Sequence, residues 1–573
     1  MMTFPNTRVI QHEPSSPEMV NICKKALGQL AVVLLAFSGL AFAACPDTTN
    51  NAGYVRQSAT GTGTGADWTN AYTKLPATLV RGCTYYVAAG TYPGYAFNTP
   101  DSGTFVITIQ APTATNYGTA TGWSSSYVGQ AVWDTDDGEG VGALMNFTTD
   151  YWVFNGVYRS TATGIPYTDW QLESGYGFKT NNASAVSCET DIGFGENPAS
   201  SPHPVHDIIF EYVDVSGSHA TTDGGCRENG VESDWGSYNL YFGYNYIHDT
   251  GLTIFYMRGE TANCSGSSGN VTCGSPASGY GTGNNITMEY GYYYSNYSDP
   301  NQHAEGCSCS QGLQNLTIRY NFWQDINGTA TIVGTATAAD WNNGNGGNGP
   351  WYIYGNVAFQ SSSSYMSGKQ DANVGVADIF YKWDTTFIGA VYILNNTFYN
   401  FGGSWNSGTA IGMDDGSSDP SPATAFYVYN NLWSNSGGYN GVGSGLFNTC
   451  PSNAGYADCT SVAWHDQAYF ASTDTSYTSD TDSAKEVSSS AAPFASATSP
   501  WNFTLTSDTM AGTLPANTGT YFTSGDTTAS NTFNVDMNGV TRGANGTIDR
   551  GAFQIASGST ALAPPTNLTA VVH

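Results

Sequence analysis

Two short stretches of the chain collect the side chains from which a catalyst could be built. One is Arg227-Glu228-Asn229-Gly230-Val231-Glu232-Ser233-Asp234; the other is His303-Ala304-Glu305-Gly306-Cys307-Ser308-Cys309-Ser310. Superposing the apolar strands that follow them, from Leu240 and from Leu316, brings the two into register as neighbouring coils. Strand alternation then puts Val231 and Cys307 on one face and Glu232 and Ser308 on the other. The outward candidates are Arg227, Glu228, Glu232, Asp234, His303 and Glu305, and His248, Asp249 and Arg258 on the intervening strands are expected to contribute contacts. Eliminative cleavage of a uronate chain would need a base, His303 or Arg227, and a cation on the carboxylate. Hydrolysis would need two carboxyl groups ~5–9.5 Å apart, drawn from Glu232, Asp234 and Glu305. A solvated polar face held by ordinary hydrogen bonds fits the same residues equally well.

Other residue types add to this set. Asp134, Asp136, Asp137 and Glu139 fall in an Asp-Thr-Asp-Asp-Gly-Glu-Gly run whose spacing suits a hard cation such as Ca²⁺. Asp414-Asp415-Gly-Ser-Ser-Asp419 is a weaker case, and acidic Gly-rich turns are common without metal. Tyrosine is abundant, with 38 residues. In Tyr290-Gly-Tyr292-Tyr293-Tyr294 the rings cannot all face the core of a strand. Tyr292 and Tyr294 are therefore expected outward, stacking on sugars or covering the coil.

The charge balance limits the partners. Sixteen Lys and Arg stand against 45 Asp and Glu, a net charge of −29. Phosphate recognition needs a basic face, so nucleic acid is excluded. The composition is also wrong for a coiled coil, and too aromatic and too weakly charged for a disordered chain. A polyuronide would be repelled unless calcium screened it, which favours neutral glycans or no catalysis.

The first residues read as an export signal. Lys24 and Lys25 precede an apolar run, 27–42, ending in Ala41-Phe42-Ala43, so cleavage is expected after Ala43, with Met19 an alternative start. Signal 1–43 would leave a secreted protein, off the membrane and expected to be monomeric. Ten cysteines outside the signal fit an oxidising compartment. Spacing suggests Cys264–Cys273 and Cys450–Cys459 as loop staples and Cys45–Cys83 and Cys188–Cys226 as longer closures. Cys307 and Cys309 would point the same way along a strand, too far apart to bond comfortably. Each is expected as a buried thiol or paired elsewhere.

The elements that must position these residues repeat. WVFNGVY (152–158), IIFEYVDV (208–215), LYFGYNYIHD (240–249), ITMEYGYYYSN (286–296), LTIRYNFWQD (316–325), WYIYGNVAFQ (351–360), VYILNNTFYN (391–400) and FYVYNNLWSN (426–435) share one pattern. Val213, Asn245, Gly291, Asn321, Asn356, Asn396 and Asn431 fall in one column, separated by 32, 46, 30, 35, 40 and 35 residues. That period, with short strands, indicates an all-β solenoid. The Asn column reads as architecture, because Asn tolerates left-handed φ and its amide can bond the next coil.

The pattern resembles the right-handed parallel β-helix proteins of the pectin-lyase-like superfamily. YVRQSATGTGTGADWTNAYTKLP…GCTYYVAAGTY (54–92) resembles their opening segment, and VDMNGVTRGANGTIDRGAFQI (535–555) their closing motif. The resemblance implies one β-helix domain over 44–555: an opening segment 44–150, repeat coils 151–440, irregular coils and closure 441–555, then a tail 556–573. It implies an extracellular polysaccharide as partner, through a lyase or hydrolase groove. The rival reading is a non-catalytic adhesion or structural rod. The Asn-Thr-Asp, Asp-Asp, Gly-His-Gly and Arg-Ile-Lys series of polygalacturonases is absent, as is the Asp-Pro-His-Asp motif of mannuronan epimerases.

Overall fold

The computed structural model describes residues 43–135, 143–161, 166–181, 190–195, 204–217, 228–233, 236–258, 264–265, 272–273, 284–296, 305–310, 313–326, 330–335, 350–361, 378–383, 391–401, 411–414, 426–436, 462–465, 467–471, 485–509, 535–543 and 548–556. Residues 1–42, which carry the expected signal, lie outside these. No helix among the described residues is long and apolar enough to cross a membrane.

The described chain winds as a right-handed parallel β-helix. Through the middle of the stack each coil contributes one strand to each of three sheets. Among the described residues the first and second sheets have twelve strands each and the third has nine. One coil runs His206–Glu211, Val213–Ser216, Val231–Ser233; the next runs Tyr238–Gly243, Tyr246–Thr250, Phe255–Arg258. Asn284–Glu289, Tyr292–Asn296 and Glu305–Ser310 follow. Strands pair in parallel without slippage through most of the stack, as in Ile208↔Leu240↔Ile286↔Leu316. A one-residue slip would turn every buried side chain to solvent, so alternation fixes the register.

The lumen is a set of vertical columns. Phe154, Phe210, Phe242, Met288, Ile318, Ile353, Ile393 and Val428 form one such column on the first sheet, all buried. Phe97, Phe147 and Phe194 stack on the third sheet with centroids 4.1 and 4.9 Å apart. Each buried ring removes some 150–250 Å² from water, so these columns dominate the favourable terms.

The bend between the first and second sheets is the repeating corner. Asn321, Asn356 and Asn396 each accept, through Oδ1, from the backbone N–H one coil before (2.8–3.1 Å). Each also donates through Nδ2 to a carbonyl of the preceding coil. Gln467 extends the row, donating to Val428 O as Asn431 donates to Ile393 O. The left-handed φ, however, belongs to the residue before the Asn column: Tyr212 (58°), Tyr244 (59°), Tyr290 (53°) and Tyr320 (58°). A bulky residue rarely adopts this conformation. Ring stacking offsets the cost, with Tyr212–Tyr244 at 4.6 Å and Tyr244–Tyr290 at 5.2 Å.

Two other expectations change. Tyr292 is buried, not outward into solvent, because the outer face of the second sheet is covered. The cover is the Pro166–Asp169 turn with its following residues, plus C-terminal segments. Tyr167 packs on Phe322 and Phe553 and donates to Asn538 Oδ1 (2.7 Å). Trp501 and Phe503 lie on Phe359. The closing motif is the clasp of this cover: Asp536 accepts from Asn538, Val540 and Gln554 N–H, and Arg542 donates to Gly551 and Ala552 carbonyls.

Cys307 and Cys309 are bonded to each other, with Cα atoms 5.3 Å apart. A regular strand would separate them by ~6.6 Å. The register shift between Glu305 and Cys307 accompanies this shortening. Cys45–Cys83 is formed as expected. Cys264 and Cys273 face each other across a two-residue antiparallel ladder. Cys188, Cys226, Cys450 and Cys459 lie outside the described residues.

Candidate active site

On the third sheet, Glu232, Tyr256, Ser308 and Gly334 form one column on successive coils. The stretches 227–234 and 303–310 are thus not neighbours: the strand Phe255–Arg258 lies between them. Glu232 leans back, accepting from Thr190 Oγ1 (2.5 Å) and Asn229 Nδ2 (2.9 Å). Glu305 leans forward: a Cβ on Gly334 would meet its Cγ at 2.7 Å. Gly334 sits three coils from Glu232, roughly 14 Å. Glu232 and Glu305 are therefore too far apart to share one glycosidic bond. Glu228 is fully buried and accepts from Gly251 N–H (3.1 Å). The Arg258 guanidinium lies over the Tyr256 ring at 4.3 Å. Arg227, Asp234 and His303 lie outside the described residues, as do Asp136, Asp137 and Glu139; Asp134 ends up half-buried on the strand Ala131–Thr135.

On the second sheet, His248 is buried between two carboxylates, Asp214 (2.9 Å from Nε2) and Asp249 (2.8 Å from Nδ1). Burial favours the neutral ring, but the hydrogen bonds and charges of both aspartates override it and lift the imidazole to about 9. Lys179 bridges Asp214 (3.1 Å) and Glu173 (2.5 Å). Glu173, Asp214 and His248 lie close enough to grip a metal ion. The Lys179 ammonium already spans the two carboxylates, and both imidazole nitrogens are engaged by Asp214 and Asp249, so the donor atoms a metal would use are already taken. Tyr246 stacks on His248 at 4.1 Å, and Gln171 donates to the Tyr292 hydroxyl (2.7 Å). Tyr294 is half-buried beside this cluster.

A third cluster, on the outer face of the first sheet, has the features of an acid–base pair. Here one column reads Asn155, Glu211, Gly243, Glu289, Arg319, Tyr354. Glu289 is ion-paired with Arg319 (2.5 Å) and accepts from the Tyr241 hydroxyl (2.8 Å). Arg319 also donates to the Tyr354 hydroxyl (2.7 Å). Glu211 receives Asn155 Nδ2 (2.6 Å) and, among the described residues, pairs with no cation. Burial, reinforced by the nearby Glu289 charge, pushes its carboxyl up to about 7. Gly243 keeps the coil between them clear, since a Cβ there would lie 2.5 Å from the Tyr241 Oη. Two coils separate the Cα atoms of Glu211 and Glu289 by roughly 10 Å, and Glu211 is half-buried.

A protonated carboxyl beside a cation-paired carboxylate is the division of labour that acid–base chemistry needs. The sequence contained a signal for it. Four successive repeats read Phe-Glu-Tyr, Phe-Gly-Tyr, Met-Glu-Tyr and Ile-Arg-Tyr, a charged column broken by one glycine.

No protein-family model matches the sequence, and no curated protein matches it. Among solved structures, the Dettilon tailspike protein (gp208) is similar at 10% identity and a TM-score of 0.27, over 61% of this chain and 56% of that one. The complex of XylC with xylose is similar at 10% identity and a TM-score of 0.28, over 77% and 86%. The chain thus spans just over half the length of the tailspike. The fold assignment rests on the chain's own three parallel sheets.

Proposed function

We propose that this protein hydrolyses a neutral extracellular polysaccharide on the outer face of its first sheet. Glu211 is the general acid, protonating the glycosidic oxygen as it leaves. Glu289 is the second carboxylate, activating water or attacking the sugar from the opposite side, with Arg319 and Tyr241 holding its position. The observation that carries this reading is the column itself: Glu211, whose carboxyl burial and the Glu289 charge push up to about 7, stands two coils from a carboxylate paired with Arg319. A neutral substrate follows from the net charge of −29, which repels polyuronides. Secretion accords with the signal-like start and with Cys45–Cys83.

The test is a panel of neutral and acidic polysaccharides, with calcium and with chelator, read for new reducing ends and for unsaturated-uronate absorbance. Reducing ends without unsaturation, lost in both Glu211→Gln and Glu289→Gln, are expected. Unsaturated products would place the protein among lyases. Binding without turnover on any glycan would make it an adhesion or structural solenoid. If Glu305→Gln and His303→Ala abolish turnover while Glu211→Gln keeps it, the chemistry belongs to the third sheet.

A further inference from the structure

One pair in the second-sheet cluster carries chemistry that the first-sheet reading does not use. Lys179, on the strand Phe178–Asn181, and Asp214, on Val213–Ser216, sit directly opposite each other on neighbouring coils. The Lys179 Nζ lies 3.1 Å from Asp214 Oδ2. The Asp214 side chain is wholly buried, and that of Lys179 is only 13% exposed. Tyr246 follows Asp214 in register on the next coil and stacks with Tyr176 at 6.3 Å, both rings buried. Parallel pairing of the strands holds the amine and the carboxylate together.

The chemistry of the cation sets this pair apart. In the other ion pairs described above, the cation is a guanidinium or an imidazole: Arg81 with Asp101, Arg319 with Glu289, His248 with Asp214 and Asp249. Lys179 brings a primary amine, which is a nucleophile once it gives up a proton. A base is in place, since Glu173 Oε2 lies 2.5 Å from the same Nζ. So is an acid: His248 Nε2 lies 2.9 Å from the other carboxylate oxygen, Asp214 Oδ1. Burial pushes the Asp214 carboxyl up against the pull of His248 and Lys179, which favours the uncharged form that an amine attacks. A fixed pair reacts as if at high concentration, and a site closed to water disfavours hydrolysis of the product.

We propose that Lys179 and Asp214 condense to an intramolecular amide, with Glu173 as base and His248 as acid, tying two coils covalently beneath the cover of the second sheet. The ion pair is the reactant of this step. An Nζ–Cγ bond forms and the Cγ–Oδ1 bond breaks. Glu173 takes a proton from Nζ and His248 gives one to the departing Oδ1. Both groups are restored as the two protons lost by the ammonium leave with that oxygen as water, so no oxidant or co-reactant is consumed. The cross-link is independent of whether Glu211 and Glu289 are catalytic. Intact-mass spectrometry of the full chain, denatured and reduced, tests it, followed by tryptic mapping with fragmentation. The wild type is expected one water lighter than its sequence, with a branched peptide joining Lys179 to Asp214. Lys179→Arg keeps the charge pair and is expected to lose the branched peptide and regain the full mass. Glu173→Gln is expected to leave most of the chain uncross-linked. A wild-type mass with no water lost, a loss that fragmentation places at other residues, or a Glu173→Gln chain cross-linked as fully as the wild type overturns the proposal.

Discussion

The outer faces of the first and second sheets carry clusters built from the same materials and resolved in opposite ways. On the second sheet three carboxylates, Glu173, Asp214 and Asp249, meet Lys179 and a His248 that holds an extra proton. On the first sheet two carboxylates meet one guanidinium, and burial with the Glu289 charge raises the proton affinity of Glu211. A proton locked on a buried imidazole between two aspartates fastens a cover in place. A proton on a carboxyl that keeps part of its surface open to solvent can be given away. Acidic clusters alone are therefore poor markers of a site, and where the proton resides separates the two.

Four experiments would sharpen or break that contrast. Glu211→Gln and Glu289→Gln should each cut turnover by about 10²–10⁴-fold, with an unchanged circular dichroism spectrum; smaller losses would reduce the first-sheet cluster to structure. Asp214→Asn leaves His248 and Lys179 buried with a missing partner. It should lower unfolding free energy by about 3–5 kcal/mol in urea yet leave the proposed turnover by the folded protein intact. Gly243→Ala forces the Tyr241 ring aside and should cost about 1–3 kcal/mol, with a turnover loss larger than the stability loss explains.

The pH response is the finest discriminator. The folded pKa of His248 is raised, so its contribution is complete below about 6.5 and fades as pH climbs through about 9. His248→Gln should flatten that decline in melting temperature. Glu211 is also raised, so the fold holds its proton longer than the unfolded chain and stability falls from about 4.5 to about 7. Activity should fall above pH 7, before the alkaline loss of stability is complete. Coincident limbs would show one shared titration.

The repeating corner was legible because it is local: strand alternation and the Asn column lie within ten residues of each other. Cys45–Cys83 was legible from spacing. The burial of Tyr292 was not, because its cover comes from elsewhere in the chain; Tyr167 and Asn538, which join the two parts of that cover, are 371 residues apart. The strand Phe255–Arg258 was overlooked as a separating coil for a similar reason. Residues 259–283 part it from the next first-sheet strand, whereas the third-sheet strands ending at Ser233 and Ser310 are followed closely by Tyr238 and Gln314. The Glu211–Glu289 pair escaped because proton affinity depends on neighbours two coils away. The charged column was visible, but its burial was not.

The asparagine row has a further property. The Oδ1 atoms of Asn245, Asn321, Asn356, Asn396 and Asn431 face the N-terminal end of the stack, and the amides of Asn321, Asn356 and Asn396 also donate toward the next coil. The side-chain dipoles therefore add instead of cancelling and polarise one another along the row. The solenoid carries an electrical arrow along its axis, with an electron-rich tail toward the Cys45–Cys83 end and an electron-poor head toward Gln467.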